Sequence, residues 1–262
     1  MKIFGLVGKD IAYSFSQKYF SDKFKKENRN DCMYKNFDIP NSAYFPQIIK
    51  KNRNIKGLNV TIPYKQEIIP YLDKLSRKAK EIGAVNCIKI TKKNKLKGYN
   101  TDIYGFKKSL LTLLQPHHTH ALIFGTGGAS KAIAYVLEKL NISYKCVSRN
   151  PQESNFSYNN LSKNIIEQHT LLINCTPRGT FPFIENYLSI EYKYLSDKHL
   201  AFDLIYNPAQ TKFLKLAKEN GATIKNGYDM LVYQAEKSWK IWNNLNQALP
   251  TPLHQKIGNK KN

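Results

Sequence analysis

The 262-residue chain reads as an α/β protein of two domains, and three observations carry that reading. Strand-length apolar runs alternate with helical segments between about residues 102 and 227, the pattern of parallel βαβ units in a doubly wound sheet. A glycine-rich run stands between one of those strands and the helix that follows it. The character of the chain changes at Thr101, and a long helix after residue 227 is expected to pack back on the first part. The expected partition is therefore 1–101 with 228–262 as one domain and 102–227 as the other.

In chain order, residues 2–7 form an apolar strand, 8–16 a polar loop, and 17–26 a helix with Tyr19, Phe20 and Phe24 inward. A strand at 33–39 ends at Pro40, and a helix at 42–51 feeds the stretch Gly57-Leu58-Asn59-Val60-Thr61-Ile62-Pro63-Tyr64-Lys65. That stretch alternates, with Leu58, Val60 and Ile62 on one side and Asn59 and Thr61 on the other, until Pro63 stops the ladder. An amide, a hydroxyl and an ammonium arrive together on a rigid strand end. A small polyhydroxylated molecule could be held there at little entropic cost. A plain strand with one wet face is the alternative. Residues 68–82 read as largely helical, interrupted near Pro70, with Gly83 as C-terminal stop. A hairpin, 84–91 and 96–100, turns at Lys92-Lys93-Asn94-Lys95. Beyond Thr101 come a helix at 102–114, a linker at 116–120, a buried strand at 121–124 and a helix to about 140. Further strands fall at 143–148, 171–175, 200–205 and 223–225, with a helix at 211–220, and a helix at 228–246 closes the pattern.

Composition narrows the function classes. A hydrophobic content of 42% suits a packed globular chain, and no apolar run approaches the ~20 residues that span a bilayer. The apolar run at 3–7 is too short for the core of a signal peptide. Cys32, Cys87, Cys146 and Cys175 are widely spaced without C-x-x-C, which fits a reducing cytoplasm. The formal charge of +22 invites a nucleic-acid or membrane reading. The lysines are dispersed, however, and outnumber arginines 36 to 5, whereas arginine is the better bidentate reader of phosphates and bases. Solvated surface is the preferred reading, with neither nucleic acid nor membrane expected as partner.

Three groups of residues can carry chemistry. Gly125, Thr126, Gly127, Gly128 and Ala129, between strand and helix, would set free N–H groups and a positive helix end against a pyrophosphate. Ser130 replaces the third glycine of G-x-G-x-x-G, so the Rossmann-type assignment rests on the flanking strand and helix. The next strand ends at Ser148, Arg149 and Asn150, with no acid before Glu153; arginine in place of an acid favours NADP over NAD. Lys65 and Asp102 are acid–base candidates at the junction of the domains, where a substrate from one side meets a nicotinamide from the other. Spacing leaves Asp102 equally readable as an N-terminal helix cap. The tract His117-His118-Thr119-His120, the pair Trp239 and Trp242, and the cysteines read as structural.

Eight motifs in order then resemble the shikimate dehydrogenase family. They are Gly5-Leu6-Val7-Gly8 with Ser14-x-Ser16; Asn59 to Lys65; Gly83-Ala84-Val85-Asn86; Asn100-Thr101-Asp102-x-x-Gly105; and the loop 125–132. Asn174-x-Thr176-Pro177-x-Gly179, Asp203-x-x-Tyr206-x-Pro208-x-x-Thr211 and Gly227-x-x-Met230-Leu231-x-x-Gln234 complete the set. The resemblance implies reversible NADPH-dependent reduction of 3-dehydroshikimate to shikimate on the route to chorismate and the aromatic amino acids. It implies that Ser14 and Ser16 hold the substrate carboxylate and that Thr61, Asn86, Asp102 and Gln234 hold its hydroxyls, with Tyr206 near the ring. Lys65 would give the proton, tuned from its usual pKa of ~10.4 by burial and by Asp102. Leu204 and Gly227 would approach the nicotinamide half, and a homodimer is allowed. A quinate/shikimate or aminoshikimate dehydrogenase, or a catalytically silent basic binding protein on the same fold, is the alternative. Departures from the family pattern fall at Asp10, Tyr13, Gln17, Tyr19, Thr180 and Ala235-Glu236.

Overall fold

The computed structural model describes residues 1–12, 14–151 and 155–245. Tyr13, Glu153 and the terminal part of the segment expected in the first domain, 246–262, lie outside the described residues.

The first sheet holds β1 (Lys2–Gly8), β2 (Cys32–Asp38), β3 (Ile55–Val60), β4 (Lys74–Leu75), β5 (Cys87–Ile90) and β6 (Leu96–Tyr99), in the order β2-β1-β3-β5-β6-β4. β1 runs parallel to β2 and β3, and the β5–β6 hairpin adds antiparallel to β3. Around it lie α1 (Phe15–Lys26), α2 (Phe45–Lys51) and α3 (Arg77–Ile82), which ends at Gly83 in the left-handed region, as a C-terminal stop should. β3 is buried on both faces, so its alternation does not separate core from solvent. Asn59 is therefore not presented to a ligand. It accepts from the Tyr34 hydroxyl at 2.9 Å and donates to the Asn86 carbonyl and Ser238 Oγ at 3.2 and 2.9 Å. Ile62, expected on the inner side, is 62% exposed because the strand ends at Val60.

The stretch 68–82 is less helical than its sequence suggests. A single 3₁₀ turn covers Ile69–Tyr71, and β4 then pairs with β6. Asp73 fixes this by accepting from Leu96 N and Lys95 Nζ, both at 2.8 Å, a contact between distant residues.

The second sheet is wholly parallel: β7 (His120–Phe124), β8 (Ser143–Ser148), β9 (Phe156–Ser157), β10 (Leu171–Asn174), β11 (Leu200–Asp203) and β12 (Thr223–Lys225), in the order β12-β11-β10-β7-β8-β9. Its helices are α4 (Asp102–Leu110), α5 (Gly128–Lys139), α6 (Lys163–Gln168), α7 (Lys212–Glu219) and α8 (Tyr228–Asn243). β10 and β11 are buried at every position, as strands covered on both faces are. Strand order reverses between β7 and β10, which places a crevice at their carboxyl ends, beside Gly125 and Thr176.

α4 and α8 join the two halves. A Cβ on Gly105 of α4 would collide with the Met230 carbonyl of α8, so the helices meet backbone to backbone. Farther along α8, Trp239 and Trp242 are buried with Phe4, Phe20 and Phe24, and Trp242 Nε1 donates to the Ile88 carbonyl at 3.0 Å. Burying such a ring contributes about 1.5–3 kcal/mol. α8 is thereby anchored to the first sheet while its opening turn faces the second.

Candidate active site

Lys65 follows the end of β3, held where Val85 N donates to its carbonyl at 2.7 Å. Its ammonium lies 2.8 Å from Asp102 Oδ2, and the side chains are only 15% and 3% exposed. Asp102 opens α4, yet its carboxylate is not used as a cap. Its other oxygen accepts from Asn86 Nδ2 at 2.8 Å, and the same Asn86 amide donates to Gln234 Oε1 at 2.8 Å. The Asn86 oxygen is fixed in turn by Thr101 N at 2.6 Å. Lys65, Asp102, Asn86 and Gln234 thus form one chain of hydrogen bonds drawn from four separate segments. A buried amide with both ends occupied has one orientation, and it passes that order to the carboxylate.

Thr61 stands one residue past β3, its N–H bonded to the Val7 carbonyl at 2.9 Å. Ser14 caps α1, its Oγ accepting from Ser16 N at 3.2 Å. Phe15 between them packs edge-on against Tyr206 at 5.5 Å and Tyr228 at 5.7 Å, joining the serine turn to the second half. Burial raises the Tyr206 phenol, so it is a neutral donor. Tyr206 rides on a loop closed by Asp203, which accepts from Asn174 Nδ2 and Ile205 N at 3.0 Å and from Thr211 Oγ1 at 2.6 Å. Burial pushes Asp203 up to about 7 against those three donors.

On the cofactor side, Gly125 has φ +105°, a conformation that disfavours any residue with a side chain. Gly127 precedes α5 with no side-chain cap, and a Cβ there would project into open space. These features suit a pyrophosphate laid against the first turn. Ser130, in place of the third glycine, is accommodated by folding its hydroxyl onto the Gly127 carbonyl at 2.6 Å. A Cβ on Gly128 would lie 3.0 Å from the Lys65 Cβ, so the glycine loop abuts the Lys65–Asp102 pair. Thr126 is exposed at the mouth of the loop, Ala129 lies in the first turn of α5, and Ser148, Arg149 and Asn150 stand at the open end of β8. Across the sheet, a Cβ on Gly227 would run into the Leu204 carbonyl; only glycine permits that approach.

Sequence reasoning missed three contributors. Thr101 and Ser238, both fully buried, brace Asn86 and Asn59, but single hydroxyl residues give no pattern to find them. Arg178 sits close enough to Tyr158 for its charge, with that of Arg149, to oppose the upward effect of burial on the Tyr158 phenol. That Arg178 is one of only five arginines, two residues past Thr176, was the available signal. Burial holds the Cys175 thiol, beside the site, well above its ordinary value, so it stays protonated and unreactive.

Comparison with known proteins finds relatives over nearly the whole chain. Residues 6–88 match the family model of the shikimate dehydrogenase substrate binding domain. The chain is 40% identical over 249 residues to shikimate dehydrogenase (NADP(+)) of Clostridium botulinum strain Loch Maree, covering 91% of this chain and 95% of that one. It is 37% identical over 257 residues to the Clostridium perfringens enzyme of the same name, covering 94% and 93%. The crystal structure of shikimate 5-dehydrogenase from Thermus thermophilus, in complex with NADP(H) and shikimate, superposes with a TM-score of 0.82 at 27% identity, covering 94% of each chain. The fold, the motif order and these relatives lead to one conclusion: the chain belongs to the shikimate dehydrogenase family.

Proposed function

We propose that the chain catalyses the reversible NADPH-dependent reduction of 3-dehydroshikimate to shikimate, in the pathway to chorismate. The observation that carries this reading is the buried Lys65–Asp102 pair in van der Waals reach of the glycine-rich loop. The bound nicotinamide cofactor supplies or accepts the hydride. Lys65 gives its proton to the oxygen of the reduced carbonyl and takes it back in the reverse direction. Asp102 holds that ammonium in place through the 2.8 Å contact. No metal is required in this reading, because an ammonium and hydroxyl donors can stabilise the developing oxyanion.

Substrate binding is assigned to both halves of the cleft. Ser14 and Ser16 take the carboxylate; Thr61, Asn86, Asp102 and Gln234 take the ring hydroxyls; Tyr206 closes over the ring. Gly125, Thr126, Gly127, Gly128 and Ala129 hold the pyrophosphate of NADP. Ser148, Arg149 and Asn150 hold the 2′-phosphate, and the backbone of Leu204 and Gly227 lines the nicotinamide end. The division into 1–101 with 228–262 as substrate domain and 102–227 as cofactor domain belongs to the same proposal. Two sheets with α4 and α8 between them support it. The reading places the enzyme in the cytoplasm, where the four cysteines stay reduced. Among the described residues, no helix is long and apolar enough to cross a membrane. A homodimer is allowed, and light scattering would separate it from the 30.3 kDa chain.

The test is absorbance at the reduced-nicotinamide band with shikimate and with quinate, each with NADP⁺ and with NAD⁺. Turnover with shikimate and NADP⁺ at least tenfold above every other combination is expected. Equal or faster turnover of quinate, or of NAD⁺, would contradict the assignment.

A further inference from the structure

On the far side of α4 from the Lys65–Asp102 pair lies a second cavity, of about 830 Å³. Ile103, Tyr104, Lys107, Lys108 and Leu111 turn one face of α4 and its following turn toward it. α3 closes it on one side and α5 on the other, so its walls come from both halves of the molecule. The volume is that of a small-molecule site and not of an extended groove.

Its charge is one-sided. Arg77, Lys78, Lys107, Lys108, Lys139 and Lys237 line it, six cations among fifteen lining residues, with no aspartate or glutamate. The chain as a whole has 41 Lys and Arg among 262 residues, together with 19 acids. Arg77 is bound to Glu81 at 2.8 Å. The other five have no carboxylate within salt-bridge distance among the described residues. Three of them lie instead over rings, Lys108 at 4.2 Å from the centre of Tyr233, Lys237 at 5.4 Å from Tyr104 and Lys139 at 5.5 Å from Tyr135. The rest of the lining is of opposite character: Ile103, Val136 and Ile241 are apolar, and Tyr99, Tyr104 and Tyr135 add aromatic rings.

Cations among an aromatic and aliphatic lining suit a ligand with a flat ring and several negative charges. Phosphate groups bridge spaced ammonium groups, and a ring stacks on tyrosine. We propose that this cavity is a second ligand site, distinct from the catalytic cleft, for a phosphorylated aromatic small molecule of the nucleoside polyphosphate class. An anion seated there bridges α3 of the first half and α5 of the second.

The probe is ATP, titrated calorimetrically into the full chain with the cofactor site already saturated by NADP⁺, at low and at moderate salt. One ATP per chain is expected, with affinity falling as salt rises. Lys107→Glu and Lys139→Glu should each weaken binding at least tenfold, while Lys51→Glu, away from the cavity, leaves it within twofold. Circular dichroism and shikimate turnover of each variant report that it is folded. No ATP binding beside NADP⁺, or equal losses in all three variants, overturns the proposal. Tripolyphosphate binding as tightly as ATP removes the ring from the recognition and overturns the ligand class. Tighter binding of hexaglutamate than of ATP also overturns it, in favour of an acidic polypeptide.

Discussion

Asp102 uses both carboxylate oxygens on named partners, Lys65 and Asn86, and that division explains how far the site was readable. A charged residue beside an apolar strand end and another at a domain junction stand out in a sequence, so Lys65 and Asp102 could be found. Whether Asp102 capped a helix or held a lysine could not, because both uses put an acid at the same position. Asn59 escapes the pattern for a related reason. A polar residue on a strand buried on both faces looks like one on a half-exposed strand. Two predictions belong at this scale. Arg149→Ala should weaken NADP⁺ binding about 10–100-fold, the worth of a charge-assisted contact, and leave NAD⁺ unchanged. Fluorescence titration of both nucleotides checks this, and parallel losses would contradict it. Asp203, pushed up to about 7 by burial, is protonated in the folded chain over a range where the unfolded chain is ionised. Its contribution is complete below about pH 4 and is lost as pH rises through about 7. The stability of wild type relative to Asp203→Asn should therefore fall between pH 5 and 7, by up to about 1.4 kcal/mol per pH unit. Urea midpoints of the two proteins measure it, and a constant difference would refute it.

Among elements, the long periodic ones were legible and the short paired ones were not. α5, α7 and the strands at 143–148 and 223–225 follow from local pattern. β4 and β9, two residues each, exist only because a distant strand offers them partners. The family departures at Tyr19 and Glu236 are intelligible only at this level. Tyr19 of α1 donates to Glu236 Oε1 of α8 at 2.6 Å, and Lys23 approaches the same carboxylate at 2.9 Å. Burial and Glu236 both raise the Tyr19 phenol, which keeps it a donor. The departures thus meet each other and tie the helix bearing Ser16 to the helix bearing Gln234. Gln17, a third, bonds Asn36 Nδ2 at 3.0 Å. Glu236→Ala should cost about 1–3 kcal/mol, because the half-buried Tyr19 hydroxyl loses its acceptor and Lys23 keeps only Glu27. Combined with Tyr19→Phe, it should show a coupling of at least about 0.5 kcal/mol in a double-mutant cycle. Strict additivity of urea-derived stabilities would show that the contact contributes nothing.

In the whole molecule, the two sheets were predictable from alternation, but the way they are joined was not. Sequence pattern shows a last helix. It does not show that Gly105 lets α4 and α8 touch, or that Trp242 reaches Ile88. On the proposed assignment the substrate groups come from both halves and the cofactor loop from the second, so closure of the cleft moves one sheet against the other. Small-angle scattering should show a smaller radius of gyration with shikimate and NADP⁺ together than with neither; identical curves would argue for a rigid cleft.

The most direct test is the rate of NADP⁺ reduction by shikimate in Lys65→Ala beside wild type, with NADP⁺ affinity measured on both. The structure predicts a kcat lower by about 10²–10⁴-fold with NADP⁺ affinity within twofold. A variant that turns over within a few-fold of wild type would contradict the assignment of Lys65 as the proton donor.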